Sequence, residues 1–279
     1  MPELPEVETM RRGVAGIVGG VIRDARRTPC RLKPIRITPG PAVLRRRVVG
    51  RTVSVVDRIG KRVLVRLSGG DALVFEPRMA GLILLAEPPD VEHVRFRVDV
   101  DAGSSMQLLY WDRRGLGSVR LLSPADLLAE LGPHRLGPDA LVVTAGELRQ
   151  RLGVSRREIK VALLDQRAVA GVGNLYASEM LHRAGIHPGR PCDRLTNRQW
   201  TRLHAAIQEI LREAIRHEGS TLADGTYRNA LNNPGGYQNQ HRVYDRAGQR
   251  CPVCERGYIR RIVQAQRSTF FCPCCQRAS

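Results

Sequence analysis

The sequence predicts an α+β, multidomain protein from three observations. A helical period marks the N-terminus and returns beyond Leu122, short β-rich runs fill the stretch between, and two CxxC pairs stand near the C-terminus. A length of 279 residues suits two or more domains, and 42% hydrophobic residues allow a buried core rather than a disordered chain. The expected division is a β-sandwich or flattened barrel with an N-terminal helix in residues 1–130, a helical domain in 131–245 and a cysteine module in 246–279.

Pro5 suits the first turn of a helix, where its missing N–H has no partner to lose, and Glu6 and Glu8 suit the positive end of the helix dipole. Val7, Met10, Val14, Ile17 and Val18 then recur at helical spacing. From about Thr52 to Leu122 the chain alternates, most clearly where Val94, Phe96, Val98 and Val100 are interleaved with Arg95, Arg97 and Asp99. Turns such as Ser68-Gly69-Gly70-Asp71 separate the runs. Ser123-Pro124 opens a short helix. Ser155 with Glu158, and Thr196 with Gln199, fit capping boxes ahead of the apolar runs starting at Ile159 and Trp200. Residues 219–248, rich in Gly, Asn and Gln, read as a long mobile loop, a common seat of function. No repeat of 20–50 residues is evident.

Lysine and arginine total 45 against 27 acids, a formal charge of +18. That excess fits either a polyanionic partner or a solvated basic surface. Residues 23–51 carry much of it, with Asp24 the one acid among them and no apolar stripe of the kind an interfacial membrane helix needs. Nucleic acid is therefore the expected partner. Lysine is rare, at Lys33, Lys61 and Lys160 only. An ammonium can lose a proton and arginine effectively cannot, so a retained lysine is a candidate for acid–base work.

No run of 18 apolar residues occurs, so no membrane span is expected, and the acidic start lacks the order of a signal peptide. A cytoplasmic, reducing location is the expectation. Cys251-Pro-Val-Cys254 and Cys272-Pro-Cys-Cys275 are spaced to present four thiolates to one structural zinc ion, with disulfides or free thiols as the alternative. Cys274 is either a spectator or a competing ligand; Cys30 and Cys192 stand alone.

Three blocks resemble one family. Pro2-Glu3-Leu4-Pro5-Glu6-Val7-Glu8-Thr9, the stretch Gly171-Val172-Gly173-Asn174-Leu175-Tyr176-Ala177-Ser178-Glu179 with Ala184-Gly185-Ile186-His187-Pro188, and Gln264-Ala265-Gln266-Arg267-Ser268-Thr269-Phe270 look like bacterial formamidopyrimidine-DNA glycosylases. The resemblance implies a bifunctional glycosylase/AP lyase that excises oxidised purines from duplex DNA. It also implies a helix–two-turn–helix element in the second domain, a zinc ribbon at the end, and a monomer acting on the bacterial nucleoid. Its nucleophile would be the amine of Pro2 after loss of Met1, forming a Schiff base at the sugar C1′ that sets up β,δ-elimination. An α-amino group with a pKa of roughly 8 keeps a neutral fraction near neutrality.

Further roles follow from the same resemblance. Glu3 would move protons, Glu6 would either support Glu3 or cap the helix, and Lys61 would bind phosphate and assist proton transfer, unless it is a solvated strand-end lysine. Arg267 would grip the phosphates flanking the lesion. Because glycosylases must extrude their target base, a requirement for which they are a standing example, Met79, Arg114 and Leu116 are nominated to fill the vacated space. Core packing is the alternative for Met79 and Leu116. Asn174, Tyr176, Lys160 and Arg156 would meet the DNA backbone.

The sequence also departs from the family's pattern. Glu76-Pro77-Arg78 precedes Met79 in place of the usual His-Leu-Gly, and Leu116 replaces the aromatic wedge in Arg114-Gly115-Leu116-Gly117. Val91 stands for a family histidine and Ala223 for a common lysine. These changes bear on lesion preference more than on chemistry. The alternatives are an endonuclease VIII-like pyrimidine enzyme, against which Leu4 argues, and a silent zinc-containing DNA-damage binder, against which Pro2, Glu3 and Lys61 argue together.

Overall fold

The structure is a computed structural model describing residues 2–222 and 225–278, so Met1 and Ala223 lie outside the described residues. The chain forms two compact units, Met1–Gly132 with Ile215–Gln238, and Pro133–Ala214 with Asn239–Ser279.

In the first unit, α1 (Leu4–Gly13) is followed by β1 (Val21–Arg27), β2 (Arg36–Thr38) and α2 (Pro41–Val48). Next come β3 (Val53–Ile59), β4 (Arg62–Leu67), β5 (Ala72–Glu76), β6 (Gly81–Leu84), β7 (Val94–Asp101), β8 (Ser105–Asp112), β9 (Ser118–Leu122) and α3 (Pro124–Leu131). The strands build two sheets, ordered β1-β7-β8-β6 and β2-β9-β5-β4-β3, all antiparallel pairs except β2 with β9. Alternation places one face of each sheet inward. Phe75 of the five-stranded sheet meets Phe96 and Tyr110 of the other at ring separations of 6.5 and 5.9 Å, so one core lies between the sheets. α1 lays Val7 and Met10 into that core, whereas Val18, expected on the same stripe, is 44% exposed because the helix ends at Gly13.

The alternation of β7 fails at one place. Arg95 is buried, its register shifted by a bulge between Val94 and Phe96, and its Nε donates to the Asp112 carbonyl at 2.8 Å.

Residues 215–238, expected in the second domain, group with the first unit. Beyond Arg216 the described residues of this segment are largely irregular but well tied. Thr221 Oγ1 donates to the Tyr227 carbonyl and accepts from Gly235 N–H, the Gln238 side chain accepts from Thr221 N–H, and Ala230 closes on Leu85 through a backbone bond. A Cβ on Gly13 would overlap that of Ala230, so this approach requires glycine.

The second unit contains α4 (Ala145–Leu152), α5 (Ile159–Leu163), α6 (Asn174–Ala184), α7 (Asn197–Arg216, which runs to the unit boundary), β10 (Arg260–Gln264) and β11 (Arg267–Phe271). The Thr196/Gln199 box forms as expected, each backbone N–H donating to the other's side chain at 2.9 and 3.3 Å. The Ser155/Glu158 box does not. Glu158 is engaged in a backbone bridge with Pro191, Ile159 N–H goes to the Arg190 carbonyl, and the helix starts at Ile159 without a side-chain cap. Gly185, at φ 65°, ends α6 in the left-handed conformation favoured at a helix C-terminus.

Burial holds the His241 imidazole down to about 4, so it folds neutral. In the unfolded chain it ionises from about pH 6.5 downward. Stability from this site is therefore complete above that pH and is lost as pH falls toward 4. Chemical unfolding followed between pH 7 and 4 is expected to show a steeper acid loss for the native chain than for His241→Gln.

Candidate active site and nucleic-acid interface

The helix start fixes the N-terminal residues. With Pro5 in the first turn of α1, the Glu6 carboxylate turns back and accepts the Glu3 backbone N–H at 2.8 Å through Oε2. Its other oxygen accepts the Ser220 backbone N–H at 2.9 Å. Gly219, at φ +79°, permits this closure, since a Cβ there would come within 2.8 Å of Glu6 Oε1. The buried Tyr227 hydroxyl donates to the Glu218 carbonyl at 2.9 Å. Glu6 thus does more than cap a helix: it fastens residue 3 to the loop after α7.

Pro2 lines a narrow recess with Met79, Gly81, Ser220, Leu222, Thr226 and Tyr227, among others. Glu3 follows it and is only 3% exposed. Once Met1 is removed, residue 2 presents a secondary amine at this recess, with a carboxyl group on the neighbouring residue. That pairing is suited to covalent attack on an electrophilic carbon with nearby proton transfer. Lys61 stands in the tight turn between β3 and β4, directly after Gly60 at φ 56° and half-buried rather than freely solvated.

Met79 sits in the turn joining β5 to β6, is 40% exposed, and follows Arg78 at φ 49°. At that exposure Met79 stands at the surface rather than in the core between the sheets. Arg114 and Leu116 lie in the loop from β8 to β9, the first exposed and the second partly buried.

In the second unit the expected DNA-facing residues split into two groups. Arg156 is exposed in the loop before α5, and Asn174, the first residue of α6, is partly exposed. Lys160 and Tyr176 are instead fully buried. The Lys160 ammonium donates to Asn174 Oδ1 at 2.7 Å and to Thr269 Oγ1 at 3.1 Å, while Asn174 Nδ2 donates to the Ser268 carbonyl at 2.9 Å. A buried charge persists only when such partners replace water. Lys160 therefore orients Asn174 and ties α5 and α6 to β11. Glu179 is likewise buried, and it accepts the backbone N–H groups of Arg242, Val243 and Tyr244 at 2.8–2.9 Å. Burial nevertheless pushes its carboxyl up. In the sequence this glutamate closes the block Gly171–Glu179, and nothing in its spacing signals the loop it holds.

β10 and β11 form a hairpin whose turn residues, Ala265 and Gln266, both have positive φ. Two such residues suit a type I′ turn, strained for side chains other than Gly, Asn or Asp. Arg267 comes next and is exposed at the hairpin tip. Gln264, on the other side of the turn, has a buried carboxamide in which neither N nor O finds a protein partner among the described residues. In the sequence it stands inside the block Gln264–Phe270, where nothing in a glutamine between Val263 and Ala265 marks it for burial.

The hairpin is anchored by Cys251, Cys254, Cys272 and Cys275, whose sulfurs all lie within 4.8 Å of one another. The Cys251–Cys275 and Cys254–Cys272 separations are 3.8 and 3.7 Å. A tetrahedral zinc ion with Zn–S bonds of roughly 2.3 Å requires edges of about 3.8 Å, so the quartet fits one structural zinc. Cys274 is exposed and outside the quartet, which makes it the spectator; Cys192 is buried and Cys30 partly so. Among the described residues no helix is long and apolar enough to cross a membrane.

Comparison with known proteins is consistent along the chain. Residues 1–119 match the model of the formamidopyrimidine-DNA glycosylase N-terminal domain, 136–225 that of the formamidopyrimidine-DNA glycosylase H2TH domain, and 248–278 that of a zinc finger found in FPG and IleRS. The formamidopyrimidine-DNA glycosylase of Chloroflexus aggregans is 43% identical, over 99% of this chain and 98% of its own. A crystal structure of the MutM (Fpg) protein from Thermus thermophilus superposes with a TM-score of 0.85 at 38% identity, covering 100% of both chains. The Lactococcus lactis Fpg, solved in complex with an abasic site containing DNA, gives a TM-score of 0.86 at 32% identity, over 99% of this chain and 100% of that one.

The zinc quartet carries a measurable consequence. Cys272→Ser, or a strong chelator, is expected to release one zinc per chain and to loosen the hairpin that supplies Thr269 and Ser268 to the Lys160–Asn174 cluster. Unfolding of the second unit should move down by roughly 10 °C or more, since each kcal/mol lost is worth about 2–8 °C in units of this size. Metal assay and calorimetry on the same sample provide the check.

Proposed function

The chain belongs to the formamidopyrimidine-DNA glycosylase family, and we propose from that premise that its Pro2 amine attacks C1′ of an oxidised purine nucleotide in duplex DNA. The enzyme is a DNA glycosylase with AP-lyase activity. The single observation that carries the assignment to Pro2 is its place at the recess, with Glu3 beside it and Glu6 holding both the helix start and the Ser220 loop.

In the proposed reaction the proline nitrogen forms a bond to C1′ while the bond to the base breaks and the base leaves with a proton. The sugar ring opens as its oxygen is protonated, a transfer assigned to Glu3, and an iminium ion remains. That cation withdraws electrons, so the C2′ proton becomes acidic and the 3′ phosphate departs by β-elimination; a second elimination releases the 5′ phosphate. Lys61 is assigned to phosphate binding and proton transfer near this centre, and Arg267 to the phosphates beside the lesion. Met79, Arg114 and Leu116 are assigned to the space left by the extruded base, which costs a few kcal/mol to open. The exposure of Met79 and Arg114 supports that assignment.

Asn174 and Arg156 are assigned to the DNA backbone; Lys160, buried, orients Asn174, and Tyr176 belongs to the core of the same unit. The zinc holds the Arg267 hairpin and takes no part in the chemistry. Acting on the nucleoid of a bacterial cell is part of the same reading.

Borohydride reduction during turnover is expected to leave DNA covalently bound to the peptide beginning at Pro2; an adduct elsewhere, or none with cleavage intact, would refute the assignment. Glu3→Gln should slow base excision by about 10²–10⁴-fold, the usual range for a positioned proton donor, while Pro2→Gly, which keeps a primary amine, should slow the lyase step without abolishing it. Arg267→Ala is expected to weaken binding to every sequence alike and to reduce the slope of log affinity against log salt by about 1, as read by titration at several ionic strengths.

A further inference from the structure

Two loops carry the residues assigned to fill the vacated base space, and both cross from one sheet to the other at the same end of the sandwich. The first joins β5 to β6, the second β8 to β9. β5 pairs with β9 in one sheet, with Glu76 opposite Ser118, and β6 pairs with β8 in the other, with Gly81 opposite Asp112. The crossings therefore spring from paired strand ends and run side by side.

Two side chains of β8, both fully buried, occupy the space between them. The Tyr110 hydroxyl donates to the Glu76 carbonyl at 2.8 Å, the last residue of β5 before the Met79 turn. The Asp112 carboxylate accepts three backbone N–H groups of the other loop, from Arg114 and Gly115 on Oδ1 at 3.0 and 3.1 Å and from Gly117 on Oδ2 at 2.7 Å. Arg95 holds the Asp112 carbonyl from behind. The fit tolerates no extra atom, since a Cβ on Gly117 would overlap the Tyr110 hydroxyl and one on Gly81 would come within 2.7 Å of it. Burial and the neighbouring carboxylate keep the Tyr110 phenol protonated as a donor.

We propose that Tyr110 and Asp112 are positioning residues that lock the Met79 tip and the Arg114–Leu116 tip into one preassembled filler for the space left by an extruded base. The carboxylate alone ties only the second loop, and the hydroxyl alone ties only the start of the first. Here the hydroxyl and the carboxylate meet at Gly117, so movement of either tip is transmitted to the other. Two tips that enter a duplex as one body need no separate ordering during extrusion, because the entropy of arranging them is lost once, in folding. The inference rests on the assignment of Met79, Arg114 and Leu116 made above.

The test uses Tyr110→Phe and Asp112→Asn in the full-length protein, on two substrates. A lesion inside a duplex requires the filler, whereas an abasic site in a single-stranded oligonucleotide leaves no stacked gap to fill yet still requires the Pro2 chemistry. Single-turnover excision from the duplex is expected to fall roughly tenfold or more in Asp112→Asn, and measurably in Tyr110→Phe, as slight misplacement of positioned groups allows. Cleavage of the single-stranded abasic site should stay within about twofold of the native rate. In a Leu116→Ala, Met79→Ala background, Tyr110→Phe should then add little further loss, because a residue acting through the fillers has nothing left to act on.

Unchanged duplex excision in both variants, or an equal fall on both substrates, would overturn the proposal. If Asp112→Asn does not fold, Tyr110→Phe, which loses one hydroxyl, decides. Native protein that fails to form a borohydride adduct at Pro2 would instead sink the active-site reading and leave this geometry to be tested on its own.

Discussion

One carboxylate carries the arrangement of the N-terminal site. Glu6 gives one oxygen to the Glu3 backbone and the other to the Ser220 backbone, and both bonds are buried. Buried hydrogen bonds to a charged acceptor are among the stronger ones available, and leaving either N–H unpaired would cost more than the bond itself contributes. Pro2 has no polar side chain with which to anchor itself, so its place follows from the packing of the recess around it and from what holds the next residue. Glu6 supplies that hold, and the glycine at 219 permits the approach.

The second unit solves a related problem with different chemistry. A hairpin of two five-residue strands buries too little apolar surface to fold independently, and four thiolates around zinc replace the missing core. The metal's influence extends beyond its ligands, because Thr269 and Ser268 on the hairpin meet Lys160 and Asn174. Asn174, the helix-start residue assigned to phosphate, is thus oriented by a cluster whose members are about a hundred positions apart in the chain.

Legibility followed the range of the interactions. The Thr196/Gln199 cap and the four zinc ligands were readable because each depends on residues close in sequence and on chemistry with few alternatives. The Ser155/Glu158 cap looked equally sound but lost to a bridge between Glu158 and Pro191 that no local pattern announces. Lys160 was noticed as a rare lysine, yet its burial depends on Thr269, 109 residues away. Arg95 shows the same limit inside a strand, where alternation placed it outward and a bulge with a carbonyl partner turned it in. Glycines 81 and 117 answer to the Tyr110 hydroxyl packed between them, a contact no local pattern announces.

The scarcity of lysine has a practical consequence. Of the three, Lys160 is sealed from solvent, Lys33 is open and Lys61 is half-covered. Amine-directed acylating reagents will therefore meet a nearly blank surface despite its charge of +18. A bound duplex could be footprinted by the protection of just a few acylation products, each resolvable in a single peptide digest.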